Sequence, residues 1–171
     1  MPTAPDAPTA PRLSAAHRVR AAGNAVNLST AAGLVVALAG RASVRSGPEG
    51  LLIAEGYRLP LPRAGAFTVG NVVVVPHGLL AGVEVRQPGT LAHEAVHSWQ
   101  YFWCAGLPFL PLYGLASAWS WLRRGDPASG NGFERGAGLA RGGYTERPVT
   151  NAGLRRIAAL LRPRRARTGR G

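Results

Sequence analysis

The residues best suited to chemistry are His93, Glu94 and His97, which form an H-E-x-x-H pentad. Residues four apart on a helix lie on the same face, so both imidazoles can bind one metal ion. Glu94, beside the histidines, is then placed to act as general base on a water polarised by the metal rather than as a ligand. The pentad therefore predicts a zinc site and favours hydrolysis.

A third ligand is needed, because catalytic zinc sites use three protein ligands and leave one position open. The remaining candidates are His77, Cys104, Asp126, Glu134 and Glu146. Cys104 is about three turns along the same helix from His93, too far along the axis to share the ion. Glu134 is preferred, because it stands at the start of a predicted helix one helical hairpin beyond His97. Asp126, in a Gly/Pro loop, remains the alternative.

The helices and strands that must position these residues can be predicted from the residues that begin and end them. The motif helix is expected over residues 91–104, with Thr90 as its N-cap. Before it, β-branched stretches bounded by Gly and Pro predict strands at residues 51–54, 66–69 and 71–75, with a further short strand at 83–85. One further helix is expected to end at Gly40, another to begin at Asn131, and a last one to cover residues 151–161. The pattern predicts an α+β fold, mostly helical, with a small β-sheet beside the motif helix.

A long uncharged stretch follows the motif: the 25 residues from Ser98 to Leu122 contain no charged side chain. Its length would allow a membrane span, but Gly106, Pro108 and Pro111 divide it. We interpret it as a buried helical hairpin whose second helix begins at Pro111 and ends at residues 123–125. A peripheral membrane contact is the alternative, because aromatic residues flanking an apolar stretch favour the bilayer interface.

Composition limits the class of protein. All 20 basic residues are arginine, the formal charge is +12, and the single cysteine, Cys104, excludes an intramolecular disulfide. The first residues lack the basic and apolar regions of a secretory signal, so we expect a cytoplasmic protein. Seven arginines lie from Arg155 onward, but without aromatic residues to stack on bases this end is not expected to bind nucleic acid. We expect a flexible arm at residues 1–14, one domain at 15–161 and a disordered basic tail at 162–171; the oligomeric state is left open.

Four segments carry a resemblance to a known family: residues 69–73, 93–100, 106–113 and 131–137. They resemble uncharacterised bacterial proteins with an HExxHxxQ helix, an aromatic Gly/Pro-rich segment and an N-x-F-E-x-x-A element. That family is regarded as gluzincin-type zinc metallopeptidases. The resemblance implies a minimal zincin-like domain, with His93, His97 and Glu134 as ligands and Glu94 as general base. The chain departs from the related E-x-x-A-D element at Gly138, where an aspartate would orient a ligand histidine.

These observations lead to two main hypotheses, with electrostatic binding of nucleic acid by the arginine tail as a third and least favoured one. The first is a zinc-dependent metallopeptidase that acts on a peptide or protein substrate, with Glu94 as general base. The second is a catalytically inactive binding or membrane-surface module in which zinc joins the helices. Replacing Glu94 by Gln separates them, because only the hydrolase needs that carboxylate.

Overall fold

A computed structural model describes residues 13–60, 62 and 64–161 of the chain. In chain order the elements are α1 (Ala15–Val26), α2 (Ser29–Ala39), β1 (Ser43–Ser46), β2 (Leu52–Tyr57), β3 (Phe67–Val69), β4 (Val72–Pro76), α3 (Leu80–Arg86), α4 (Thr90–Trp103), α5 (Phe109–Arg124), α6 (Gly132–Ala137) and α7 (Ala152–Leu161). The predicted α+β class, mostly helical with a small sheet, is confirmed. The expected arm falls almost wholly, and the expected basic tail entirely, outside the described residues.

The sheet has four strands in the order β1-β2-β4-β3. β2 pairs with β4 in parallel, whereas β1 and β3 pair antiparallel with their neighbours. β3 is thus at one edge, and a tight turn through Gly70, at φ 61°, joins it to β4. Strand β1 was missed by the sequence analysis, because its residues are all exposed and lack an apolar pattern.

The sheet is covered on both faces. Alternate residues of β4 point to opposite sides, so Val73 and Val75 belong to one apolar cluster and Val72 and Val74 to another. The first cluster includes residues of α3 and α4, and the second includes Ala37 of α2. All four valines are fully buried. Helix α4, which carries the pentad, is therefore packed on the face of the sheet that carries Val73 and Val75.

The start of α4 is fixed by Glu84. Its carboxylate accepts hydrogen bonds from the backbone N–H groups of Gly89 (2.9 Å) and Leu91 (2.5 Å). The predicted strand at 83–85 is wrong, because these residues belong to helix α3. The predicted N-cap is also displaced: Thr90 is the first helical residue and Gly89, in a left-handed conformation, precedes it. A side chain from the preceding helix thus satisfies amide groups that a local cap would otherwise serve.

A buried polar chain ties α4 to its neighbours. Asn24 of α1 donates from Nδ2 to the backbone oxygen of Ser98 (2.9 Å), and Ser98 Oγ donates to Asn71 Oδ1 (3.1 Å). All three residues are buried. Hydrogen bonds between buried partners are directional, so this chain fixes the rotation of α4 relative to the β3–β4 turn.

Helix α5 is not the buried half of a hairpin. Only Phe109 and Ser120 of its 16 residues are buried, and it begins at Phe109, two residues before the predicted start at Pro111. It ends at Gly125, as predicted, in a left-handed conformation. Over the described residues, no single helix has the length and apolarity to cross a membrane; α1 and α2 meet that test only together, with a bend of 74° between them.

Candidate metal centre

The two histidines of the pentad lie side by side on the inner face of α4. His93 is 2% exposed and His97 is 7% exposed. Their Nε2 atoms are 3.0 Å apart, and their rings are nearly perpendicular, at 86°. The four-residue spacing on a helix produces this arrangement, as the sequence predicted.

Glu134 faces both imidazoles from α6. Its Oε2 is 3.2 Å from His93 Nε2, and its Oε1 is 3.8 Å from His97 Nε2. The helix is short but its start is well defined, because Asn131 Oδ1 accepts a hydrogen bond from the N–H of Phe133 (2.9 Å). The hydroxyl of Tyr113 on α5 donates to Glu134 Oε1. Three elements therefore converge on this carboxylate.

The tautomer of each histidine is fixed by an oxygen acceptor. Gln100 donates from Nε2 to the backbone oxygen of Phe133 (2.9 Å), which turns its Oε1 towards His97 Nδ1 at 2.8 Å. His93 Nδ1 lies 3.2 Å from the backbone oxygen of Gly138. Because both acceptors can only receive a proton, each neutral ring carries its hydrogen on Nδ1 and presents an Nε2 lone pair to the centre.

Gly138 stands where the related E-x-x-A-D motif has an aspartate. In that motif the aspartate side chain orients a ligand histidine, and glycine has no side chain to do so. The carbonyl of Gly138 itself accepts from His93, and its φ of 92° is a conformation that glycine adopts without strain. A backbone oxygen can orient a ligand imidazole as a carboxylate does.

The site fits a metal ion. Two Nε2 lone pairs and a carboxylate converge, and their ligand atoms lie within 4.8 Å of one another. Tetrahedral zinc with bonds of about 2.0–2.1 Å separates its ligands by about 3.3–3.4 Å, close to the 3.0 Å and 3.2 Å found between three of these atoms. Glu134 Oε2 is buried and faces His93 Nε2 at 3.2 Å. Lone pairs this close need a positive charge between them, from a metal ion or from a proton, because burying a carboxylate oxygen without one is costly.

Protons compete with a metal for these groups. Burial disfavours the charged form of His93, but the neighbouring carboxylates of Glu134 and Glu94 outweigh it and raise the pKa of His93. Burial likewise opposes ionisation of Glu134, but hydrogen bonds from His93 and Tyr113 prevail and lower the pKa of Glu134. In the metal-free protein both shifts favour an ion pair between a protonated His93 and an ionised Glu134.

Glu94 lies beside the histidines without belonging to the three-residue group. It is 5% exposed, and its Oε2 accepts a hydrogen bond of 2.7 Å from Thr68 Oγ1 on the edge strand β3. Burial raises the pKa of Glu94, against the opposing effects of the nearby histidines and Thr68. A carboxylate whose pKa is raised towards neutrality is a better general base than an exposed one.

A cleft of about 440 Å³ opens over the centre and is lined by Glu94 and the three metal-site residues. Its walls are mostly apolar and include Phe67 and Val69 of β3 and Phe109 and Leu110 of α5. Tyr144 also lines it, and burial raises the pKa of Tyr144 to about 12. Its phenol therefore stays protonated and able to donate a hydrogen bond into the cleft.

The other candidate ligands lie elsewhere. Asp126 Oδ1 accepts hydrogen bonds from the N–H groups of Ala128 (2.9 Å) and Ser129 (2.8 Å), so it stabilises the loop after α5. Glu146 pairs with Arg135 at 2.6 Å. Neither these acids nor His77 or Cys104 belong to the metal-site group of the described residues.

Two residues of the site were missed by the sequence analysis. Thr68 is the one polar residue of β3 and also its one buried residue, and that polar interruption of an apolar strand was a usable signal. Tyr113 gave none, because its role depends on how α5 is oriented towards Glu134.

Comparison of the chain with known protein families, with curated proteins and with solved structures finds no match in any of the three.

Proposed function

We propose that this protein is a zinc-dependent hydrolase of peptide bonds, with His93, His97 and Glu134 as ligands and Glu94 as general base. The observation that carries the proposal is the convergence of two Nε2 lone pairs and a carboxylate, 3.0–3.8 Å apart, at the base of a cleft that also contains a buried glutamate. Bound zinc would supply a Lewis acid that polarises water and carbonyl groups.

Within this proposal the roles of the chain's own residues follow from their surroundings. Glu94 takes a proton from the attacking water and returns it to the leaving amine. Thr68 holds the Glu94 carboxylate in place through its 2.7 Å hydrogen bond. Tyr144, protonated at neutral pH, donates to the oxyanion that develops on the attacked carbonyl.

The walls of the cleft suggest how a peptide would lie. β3 is the last strand of the sheet, and among the described residues no strand pairs with its outer edge. An extended peptide can form backbone hydrogen bonds with such an edge. The apolar side chains of Phe67, Val69 and Phe109 favour apolar substituents next to the scissile bond.

The test is turnover of a fluorogenic peptide mixture by zinc-loaded protein, compared with Glu94→Gln. We expect a loss of about 10²–10⁴-fold, the usual contribution of general-base catalysis, with zinc content unchanged. Glu146→Gln, which removes an exposed carboxylate outside the cleft, serves as the control. If the zinc-loaded protein hydrolyses no peptide, or if Glu94→Gln turns over as fast as wild type, the proposal is wrong.

A second function is favoured by a different observation. Two ligands come from α4 and the third from α6, which has only 6 residues. A metal ion would therefore also hold α6 against α4, as structural zinc does in small domains. An inactive, zinc-joined binding module predicts that zinc raises the melting temperature equally in wild type and Glu94→Gln, with no turnover in either.

A further inference from the structure

One part of the surface is apolar over an unusual length. Six large apolar residues are exposed around the α1–α2 turn, at the end of α4, in the α4–α5 loop and on α5. They are here called the apolar surface: Val26, Leu28, Trp103, Leu107, Leu115 and Trp119. The turn and the α4–α5 loop are in contact, because a Cβ on Gly106 would lie only 2.7 Å from Asn27 Cγ. The six residues thus belong to adjoining parts of the molecule.

The exposure of these residues is large for their type. Trp103 is 75% exposed, Leu115 is 70% exposed and Trp119 is 58% exposed. Single exposed apolar residues are common on proteins, but these lie in the uncharged stretch from Ser98 to Leu122, so no charged side chain interrupts α5 before Arg123. Several large apolar residues exposed on adjoining elements are characteristic of a binding surface.

Charge indicates the partner. The chain carries a net charge of +12, and no acidic residue follows Glu146. A second copy on this surface would bring two strongly positive molecules together, which is unfavourable. An anionic bilayer has the opposite charge and also accepts apolar side chains.

The arginines are placed to contribute. The guanidinium of Arg123 lies 5.5 Å from the ring centroid of Trp119, next to the apolar surface. Helix α7, with exposed Arg155 and Arg156, packs on the end of α5, where a Cβ on Gly153 would lie 2.7 Å from Leu122 Cα. Tryptophan and arginine side by side are typical of residues at the boundary between acyl chains and headgroups.

We propose that the apolar surface docks on an anionic lipid bilayer, with its aromatic and aliphatic side chains in the interface and the arginines on the headgroups. Docking depends only on the exposed apolar side chains and the positive charge, so it does not depend on whether the cleft is catalytic.

The test is flotation of the full chain with vesicles of phosphatidylcholine alone and with vesicles that also contain phosphatidylglycerol. Two double variants form a matched pair. Val26→Ser with Leu28→Ser alters the apolar surface, and Val85→Ser with Leu79→Ser alters α3; the two valines are both 83% exposed and the two leucines both 64% exposed. Circular dichroism confirms that each variant folds.

The expected result is binding to the phosphatidylglycerol vesicles that weakens as salt is raised. Val26→Ser with Leu28→Ser should weaken it by about tenfold, whereas the α3 pair should leave it unchanged. Brominated lipid should quench the fluorescence of wild type more than that of Trp103→Ser with Trp119→Ser.

Four results would each overturn the proposal. These are no flotation with either vesicle; equal loss in both double variants; anionic binding without quenching, which would mean that arginines alone attach the chain; and a dimer in sedimentation that only Val26→Ser with Leu28→Ser dissociates, which would make a second copy the partner.

Discussion

Replacing Glu134 by Gln should remove most of the zinc affinity. The substitution keeps the size of the side chain and the acceptor for Tyr113, but it removes the negative charge that faces His93 Nε2 at 3.2 Å. Four-ligand structural zinc sites bind with about 10–16 kcal/mol, or about 2.5–4 kcal/mol per ligand. At about 1.4 kcal/mol for each factor of ten, loss of one ligand should raise the Kd about 10²–10³-fold.

The loss of zinc affinity should also reduce the stability that zinc gives to the folded protein. Zinc at 100 times its Kd stabilises a folded protein by about 2.7 kcal/mol, which for a chain of this size is a rise of about 5–11 °C in Tm. At that zinc concentration the Glu134→Gln variant should show little or no rise. Titration against a competing chelator measures Kd, and thermal unfolding with and without zinc provides the independent measurement.

Asp126→Asn is the matched control, because Asp126 was the alternative third ligand in the sequence analysis. Its Oδ1 caps the loop after α5, and an asparagine oxygen can keep those hydrogen bonds. Zinc affinity should therefore be unchanged. A Glu134→Gln variant that binds zinc as tightly as wild type, or an Asp126→Asn variant that loses it, would refute the assignment of ligands by convergence.

Three further predictions concern the surroundings of the centre. Gln100→Leu removes the acceptor that orients His97 and should weaken zinc binding about 10–100-fold in the same titration; unchanged affinity would show that His97 needs no such partner. In metal-free protein, Glu94→Gln should raise the Tm at neutral pH, because burial raises the pKa of Glu94 and ionising it costs stability. The folded protein favours the neutral form of Glu94, so the stability from that neutral carboxyl is present below the unfolded pKa, near 4.5, and is lost as pH rises through the folded pKa. The rise in Tm caused by Glu94→Gln should therefore vanish in acid. A rise in Tm that persists at pH 4 would contradict this reasoning. Gly70→Ala should cost about 2–4 kcal/mol, because a Cβ there would lie 2.3 Å from the backbone of α2 in addition to the strain of a positive φ. Gly56→Ala, also at positive φ but with nothing within 4 Å of its Cβ, should cost only about 1 kcal/mol in denaturant unfolding, and equal costs for the two would show that this close packing is unimportant.

Local chemistry made several elements predictable. The i, i+4 spacing of His93 and His97 requires only that the motif segment be helical, and the residues at its two ends predicted a helix over residues 91–104. The start of α6 at Asn131 and the end of α5 at Gly125 depend on side-chain capping and on the φ freedom of glycine, both readable from one or two residues.

Errors arose where a distant partner overrode local preference. Residues 83–85, Val-Glu-Val, have the composition of a strand, but as part of α3 they place Glu84 on the amides of α4. All four residues of exposed β1 are in register with residues of β2, and nothing within β1 indicates this pairing. β propensity mainly reflects packing against neighbours, so it is weak evidence for short segments.

The sequence by itself determined the chemistry available at the site: two imidazoles on one helical face, a glutamate between them and a capped acid further along the chain. Only the tertiary structure decided their mutual distances, because the separation of His97 from Glu134 depends on how α5 and α6 return over α4. It also decided that a carbonyl at Gly138 orients His93 in place of an aspartate side chain, since every residue carries that oxygen and only folding aims it. Only the tertiary structure also decided that α5 is exposed, because an apolar helix has the same sequence pattern whether it packs in a core or lies at the surface.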